Sequence, residues 1–149
     1  MSKAQADQGN KFQADFQELW LGLGKEAWLY RFADAAQNFG LNKKIIRTDE
    51  QPADFLCAYR GYLGLMECKS TADPKGFRRS LIRRGQLKAA VESGLSRTPY
   101  HFAVRNENTQ QVFIVPAKLI VHDASIVSWV DAHYLEWKGA RECLLDLLT

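Results

Sequence analysis

The 149-residue chain contains no run of eighteen or more apolar residues, and its first residues, Met1 to Asp7, lack the apolar stretch of a signal peptide. No membrane span and no secretory route is expected, and the sequence predicts a soluble, cytoplasmic protein. Cysteine is scarce: Cys57, Cys68 and Cys143 form an odd set without CxxC spacing. That argues against a disulfide framework or a thiolate zinc site, and for reduced, buried thiols. His101, His122 and His133 are equally few and show no metal-ligand spacing, so they are not expected to be catalytic. There is no internal repeat or low-complexity tract. A Gly-rich phosphate loop is also missing, since Gly22-Leu23-Gly24 lacks both a preceding strand and a third glycine. No small-molecule cofactor is expected.

Net charge is low as well, +3 at neutral pH, too small to prove a nucleic-acid partner by itself. The charge is unevenly spread, however. Between residues 69 and 88 lie Lys69, Lys75, Arg78, Arg79, Arg83, Arg84 and Lys88 against one acid, Asp73. The remainder of the chain is therefore net acidic, and the positive field is focused on one segment. With 46% hydrophobic residues the chain has material for one core, so residues 1–149 are expected to form a single domain.

The stretch from Pro52 to Thr71 is the most informative. It reads as two apolar, β-prone runs joined at Arg60-Gly61, with Gly61 supplying the positive φ of a tight hairpin turn. A two-residue turn there sets Tyr59 opposite Tyr62 and Asp54 opposite Glu67. Opposed residues have Cβ atoms about 4.5–5.5 Å apart on one face, so the two carboxylates share a small volume. Lys69, two residues beyond Glu67, points to the same face. Leu56, Ala58, Leu63 and Leu65 also lie on that face, while Phe55, Cys57, Tyr59, Tyr62, Met66 and Cys68 form the other. Apolar residues on both faces predict central strands covered by helices on both sides. Two like charges at the rim of such a core call for compensation. Carboxylate oxygens of Asp54 and Glu67, the Cys68 backbone carbonyl and water suit Mg²⁺, with Mn²⁺ able to substitute. The plainer alternative is a strand-end Asp54 and an ordinary Glu67–Lys69 surface pair.

Pro52-Ala53-Asp54 followed by Glu67-Cys68-Lys69 resembles the PD-(D/E)xK nuclease signature. With Gln86 on a helix after a basic loop, it resembles more narrowly the Holliday-junction resolvase branch, both the RecU type and the archaeal type. The resemblance extends from about Gly9 to Ile120. It implies an α/β, restriction-endonuclease-like core, a mixed central sheet of about five strands flanked by helices. It further implies a Mg²⁺-dependent endonuclease of a bacterial, archaeal or phage-infected cell that nicks four-way DNA junctions as a homodimer, with Asp54, Glu67, Lys69 and Gln86 at the catalytic site. Other DNA structures (flap, duplex, single strand) remain open as substrates, as does a non-catalytic DNA-binding or regulatory protein on the same fold. In the resembled families an early helix often carries a further glutamate in a Gly-x-x-Phe-Glu context, whereas here Gly9-Asn10-Lys11-Phe12 is followed by Gln13. Either Gln13 occupies that place as a neutral group, or Glu18 reaches in from about one turn later.

Elsewhere, Phe12, Phe16, Leu19 and Trp20 recur at helical spacing, predicting a helix from about Gln8 to Leu21 that stops at Gly22-Leu23-Gly24. Ala27 to Phe32 reads as a first strand, which would bring Arg31 to the edge of the site, or as a helix continuing through Asn38. A polar loop follows from Asp34 to Gln51. Ser70 to Phe77 reads as a turn-rich loop and Arg78 to Gly94 as a helix, with Leu81, Ile82, Leu87, Ala90 and Val91 for packing and Gly94 as the stop. Its basic residues, with Lys75, are candidates for DNA phosphates or for a merely solvated face. Tyr100–Arg105 and Gln111–Pro116 read as two strands, with Ala117–Val121 continuing the edge. Ser125–Trp137 reads as a helix or a short strand-loop unit, and after Gly139 comes a final apolar stripe of Cys143, Leu144, Leu147 and Leu148. That stripe, with Trp129 and Trp137, suits either a dimer interface or core packing.

Overall fold

At Arg60 and Gly61 the backbone of the computed structural model, which describes residues 2–32 and 51–137, takes positive φ values of 44° and 87°. Two consecutive left-handed residues suit the right-handed twist of the flanking strands, so the turn closes a regular hairpin. The hairpin strands are β2 (Phe55–Tyr59) and β3 (Tyr62–Thr71), paired Tyr59 to Tyr62 and Phe55 to Met66. That is the register expected from the sequence. One step further out, beyond the end of β2, the same register sets Asp54 opposite Glu67.

Strand β1 (Ala27–Arg31) pairs antiparallel with β2, and the pairing continues through Phe32 N–H, which donates to the Asp54 carbonyl (3.0 Å). On the other side β3 runs parallel to β5 (Tyr100–Asn106), which pairs antiparallel with β6 (Val112–Pro116). The result is a mixed five-stranded sheet in the order β1-β2-β3-β5-β6. β3 and β5 each have two neighbours and pair with each other as the parallel step, and β5 is buried along its whole length.

One face of the sheet is covered by α1 (Lys3–Leu21), which starts at a Ser2 cap, about a turn and a half before the expected start. Phe12, Phe16 and Trp20 are buried against Phe55, Tyr59, Tyr62 and Met66. Burial of each phenylalanine contributes about 1.5–3 kcal/mol. Leu19, expected in the stripe, is 37% exposed. Trp137 packs on Phe16 and Trp20 at 6.3 and 6.1 Å between ring centroids, so it serves the core. Arg105, nearly buried, pairs with Asp15 (2.8 Å) and Glu107 (2.9 Å) and lies 4.7 Å over the Phe12 ring, tying α1 to β5. Cys57 and Cys68 are buried free thiols on this face, where burial pushes both thiol pKa values up.

The other face is covered by α2 (Arg84–Leu95), by a small sheet of β4 (Gly76–Arg78) paired with β7 (Ile126–Ser128), and by the short helix α3 (Trp129–Ala132). Several expectations are corrected here. The α-helix does not begin until Arg84: Phe77 is fully buried in β4, Arg78 ends that strand and Arg79–Leu81 is a single 3₁₀ turn. α2 passes Gly94 and ends at Ser96, with left-handed Arg97 (φ 57°) turning the chain. Residues 117–121 do not continue the sheet edge. They begin a helical turn, Leu119–Asp123 being wound as a π-helix, which buries Ile120 completely. The 125–137 stretch is neither one helix nor a strand and loop: β7 leads directly into α3 and a 3₁₀ turn at His133–Leu135, with Trp129 stacked on Phe113 at 5.1 Å and donating to the Asp73 carbonyl (2.8 Å). Trp129 is thus a packing residue.

The cover on this second face is incomplete. Leu63 is 55% exposed, and Trp28 and Tyr30 on β1 are 50% and 54% exposed. The expected two-sided burial of the hairpin therefore holds near Leu65 and fails toward the turn. Among the described residues, no helix is long and apolar enough to cross a membrane. The expected loop over 34–50, the alternative helix beyond Phe32 and the apolar stripe from Cys143 to Leu148 lie outside the described residues.

Candidate active site

Asp54 sits in the residue before β2, where the chain leaves the sheet and both covering layers can reach it. Its Oδ2 accepts the Cys68 backbone N–H (2.9 Å) and its Oδ1 accepts Gln13 Nε2 from α1 (3.1 Å). The Asp54 backbone N–H in turn donates to the Glu67 carboxylate. In a strand the N–H and C=O of one residue point to the same side. The Cys68 carbonyl therefore also faces the Asp54 edge. Just upstream, Tyr100 Oη donates to the Pro52 carbonyl (2.7 Å), pinning the approach to Asp54 onto the start of β5. Sequence reasoning missed Tyr100. It lies 46 residues from Asp54, and no local pattern marks it.

Glu67 is only 4% exposed. Its pKa is pushed up to about 7, first by burial and then by the nearby Asp54 carboxylate, with Lys69 pulling the other way. Lys69 Nζ lies 3.3 Å from Glu67 Oε1 and donates to Gln86 Oε1 (2.7 Å). The Gln86 amide nitrogen donates to Glu67 Oε1, closing a ring of three side chains. Gln86 can do this because it stands in the first turn of α2. Gln86 Oε1, which accepts from Lys69, also accepts the Arg83 backbone N–H (3.0 Å), satisfying one of the otherwise unpaired donors at the helix start. A helix-start residue thereby fixes both an acid and a base.

The early-helix alternatives separate cleanly. Gln13 meets Asp54, and its Oε1 accepts Arg31 Nη2 (3.0 Å), so Arg31 joins the edge of the site. Glu18 lies five residues on, about 140° further round the helix. It lines a separate cleft with Phe12, Asp15, Arg105 and Trp137. The basic residues scatter more than a helix would place them. Arg78 pairs with Asp73, while Lys75, Arg79, Arg83, Arg84 and Lys88 are exposed, with Lys88 3.8 Å from Glu92. Of the histidines, His101 is buried against Tyr62 Oη (3.0 Å), and His122 and His133 are exposed.

The donor set is made of oxygen atoms, two carboxylates and a backbone carbonyl. Among the described residues no group of three or more His, Cys, Asp or Glu side chains could hold a metal ion. A cation here would need carbonyl and water oxygens to complete its shell, which fits a hard ion and not zinc. Burial first, and then the Asp54 carboxylate, disfavours the Glu67 anion, so added positive charge here would favour it.

No protein-family model matches the chain, and no curated protein sequence does. Among solved structures, a Holliday junction resolvase, Hjc, from the archaeal hyperthermophile Archaeoglobus fulgidus is similar over 91% of this chain and 99% of its own, with a TM-score of 0.59 and 12% identity. The fold is restriction-endonuclease-like. In this restriction-endonuclease-like fold the mixed sheet, the helix on each face and the hairpin that carries Asp54 and Glu67 are all present. At that identity the likeness speaks for the architecture, and the chemistry rests on the side chains described above.

Proposed function

We propose that the protein is a divalent-cation-dependent DNA endonuclease, with a four-way junction as substrate and a homodimer as the working form. The observation that carries this reading is the meeting of Asp54, Glu67, Lys69 and Gln86 at the end of the hairpin away from its turn. Asp54, Glu67 and the Cys68 carbonyl would hold Mg²⁺ or Mn²⁺. Such an ion, when bound, supplies a Lewis acid that polarises a phosphate oxygen and lowers the pKa of a coordinated water.

The chain's own groups do the rest. Gln86 holds the Lys69 ammonium beside Glu67, where it offsets charge gathering on the phosphate. Gln13 holds Asp54 Oδ1 while the Cys68 N–H holds Oδ2, which fixes the carboxylate at the strand end. Arg83 and Arg84, exposed at the start of α2, would bind flanking phosphates, as would Lys75, Arg79 and Lys88. The junction as substrate and the dimer rest on the resemblance of the motif and on the likeness to the archaeal resolvase.

The test compares cleavage of a synthetic junction, a flap, a plain duplex and a single strand in Mg²⁺ and Mn²⁺, beside sedimentation of the free protein. The wild type should nick the junction. Glu67→Gln should bind it and leave it uncut, whereas a Glu67→Gln protein that cuts like wild type would remove the assignment.

A further inference from the structure

The three aromatic residues of the β1 edge form a column that ends at the candidate site. Trp28 is paired with Ala58, Tyr30 with Leu56, and the Phe32 backbone N–H bonds the Asp54 carbonyl. Side chains at alternate positions share a face, so Trp28, Tyr30 and Phe32 stand on the same face as Asp54, and Phe32 is the ring next to it. The first two are about half exposed, unusual for rings of this size. They lie with centroids 6.4 Å apart and planes 19° from parallel, and Phe32 meets Tyr30 edge-on at 5.5 Å. Leu56 and Leu65 are partly covered beside them and Leu63 is open, so among the described residues the strands β2 and β3 give the column an apolar floor up to Asp54.

We propose that this column is a stacking platform for two or three unpaired nucleobases, delivering a single-stranded segment to the Asp54–Glu67 site. Aromatic side chains hold single strands by stacking on the flat faces of the bases, with little regard to sequence. A duplex hides those faces inside its own stack and offers the rings nothing. The occupant is argued from position. The column runs into the group of oxygens and the lysine that would handle a phosphate, and Lys69 and the exposed Arg83 and Arg84 supply positive charge at that end. The choice of nucleic acid rests on the proposed function. The substrate it names is DNA with unpaired bases next to the scissile bond, as at an opened junction centre or a flap.

The experiment measures binding of a fluorescently labelled oligo(dT) and of a labelled duplex of equal length in EDTA, by anisotropy, to the whole chain. Because Trp28 and Tyr30 are exposed, Trp28→Ala and Tyr30→Ser should keep the fold, checked by circular dichroism. Each should weaken oligo(dT) binding about five- to hundredfold. Duplex binding should stay unchanged, and Tyr30→Phe, which keeps the ring, should bind oligo(dT) like wild type. Equal oligo(dT) affinity in wild type and both ring-deleted variants overturns the proposal. So does a result in which those variants only dissociate a dimer in sedimentation, since the face would then belong to a second copy of the chain. If the rings bind oligo(dT) but no DNA is cut in Mg²⁺ or Mn²⁺, the nuclease reading fails and the platform stands. If junctions are cut and ring deletion changes nothing, the reverse holds.

Discussion

Glu67 has a raised pKa because the fold disfavours its anion, and this has a sign that can be measured. In the unfolded chain its pKa returns to about 4.5, against about 7 in the fold. Its contribution to stability is therefore full below about pH 4.5 and is lost as pH rises through about 7. Glu67→Gln escapes that loss. Relative to wild type, the variant should gain on the order of 2–3 kcal/mol between pH 5 and pH 8 without metal, read from urea unfolding of both proteins. A flat difference between the two pH values would show that the carboxyl is not held as described. Gln86 acts through its neighbours, so Gln86→Ala should lower cleavage about 10–100-fold while leaving the fold intact. Its Mg²⁺ dependence should shift to higher concentration, which calorimetric titration would show directly. Which residues could be read from the sequence follows from distance along the chain. Asp54, Glu67 and Lys69 are fixed by strand parity around one turn. Gln13 and Glu18 could not be separated, because only the angle at which α1 lies on the sheet decides between them. Tyr100 was hidden altogether, since its partner, the Pro52 carbonyl, carries no side-chain signal.

Among the elements, the hairpin was legible and the stretch after it was not. A two-residue turn with Gly61 leaves one pairing open to β2 and β3. The segment from Gly76 to Arg78 looked like a loop running into a helix because its partner, Ile126–Ser128, lies about fifty residues away, and a three-residue strand has no period to detect. Leu63 misled in the other direction: an apolar residue in an apolar strand reads as buried, yet no described element covers it. β3 also contains a position where close packing excludes any side chain. A Cβ at Gly64 would meet the Pro99 carbonyl oxygen at 2.8 Å and run into the Tyr62 hydroxyl, which bonds His101. Pro99 O also accepts the Leu65 backbone N–H, so it cannot easily retreat. Gly64→Ala should cost about 1–3 kcal/mol in unfolding free energy, a larger loss than an exposed Gly→Ala change gives. If it leaves the denaturation midpoint unmoved, the approach of β3 to Pro99 is looser than described.

For the whole molecule, the balance of charge sets how DNA would be held. The window from Lys69 to Lys88 is strongly positive in a chain of net charge +3, and Arg83 and Arg84 stand exposed within it, near Gln86. Replacing both arginines with alanine should weaken junction binding and reduce the slope of log affinity against log salt by about two, one per lost phosphate contact. An unaltered slope would take the pair out of the interface. The register of the hairpin has a longer reach. Asp54 and Glu67 are aligned by a bend five residue pairs away, about 17 Å along the strands. One extra residue inserted between Arg60 and Gly61 would leave the apolar strands able to pair but slip them by a single step. Alternation would then swing the Glu67 carboxyl toward the α1 layer while Asp54 stayed in place. The loop at the far tip thus works as a spacer whose length, more than its chemistry, decides whether the two acids ever share an ion.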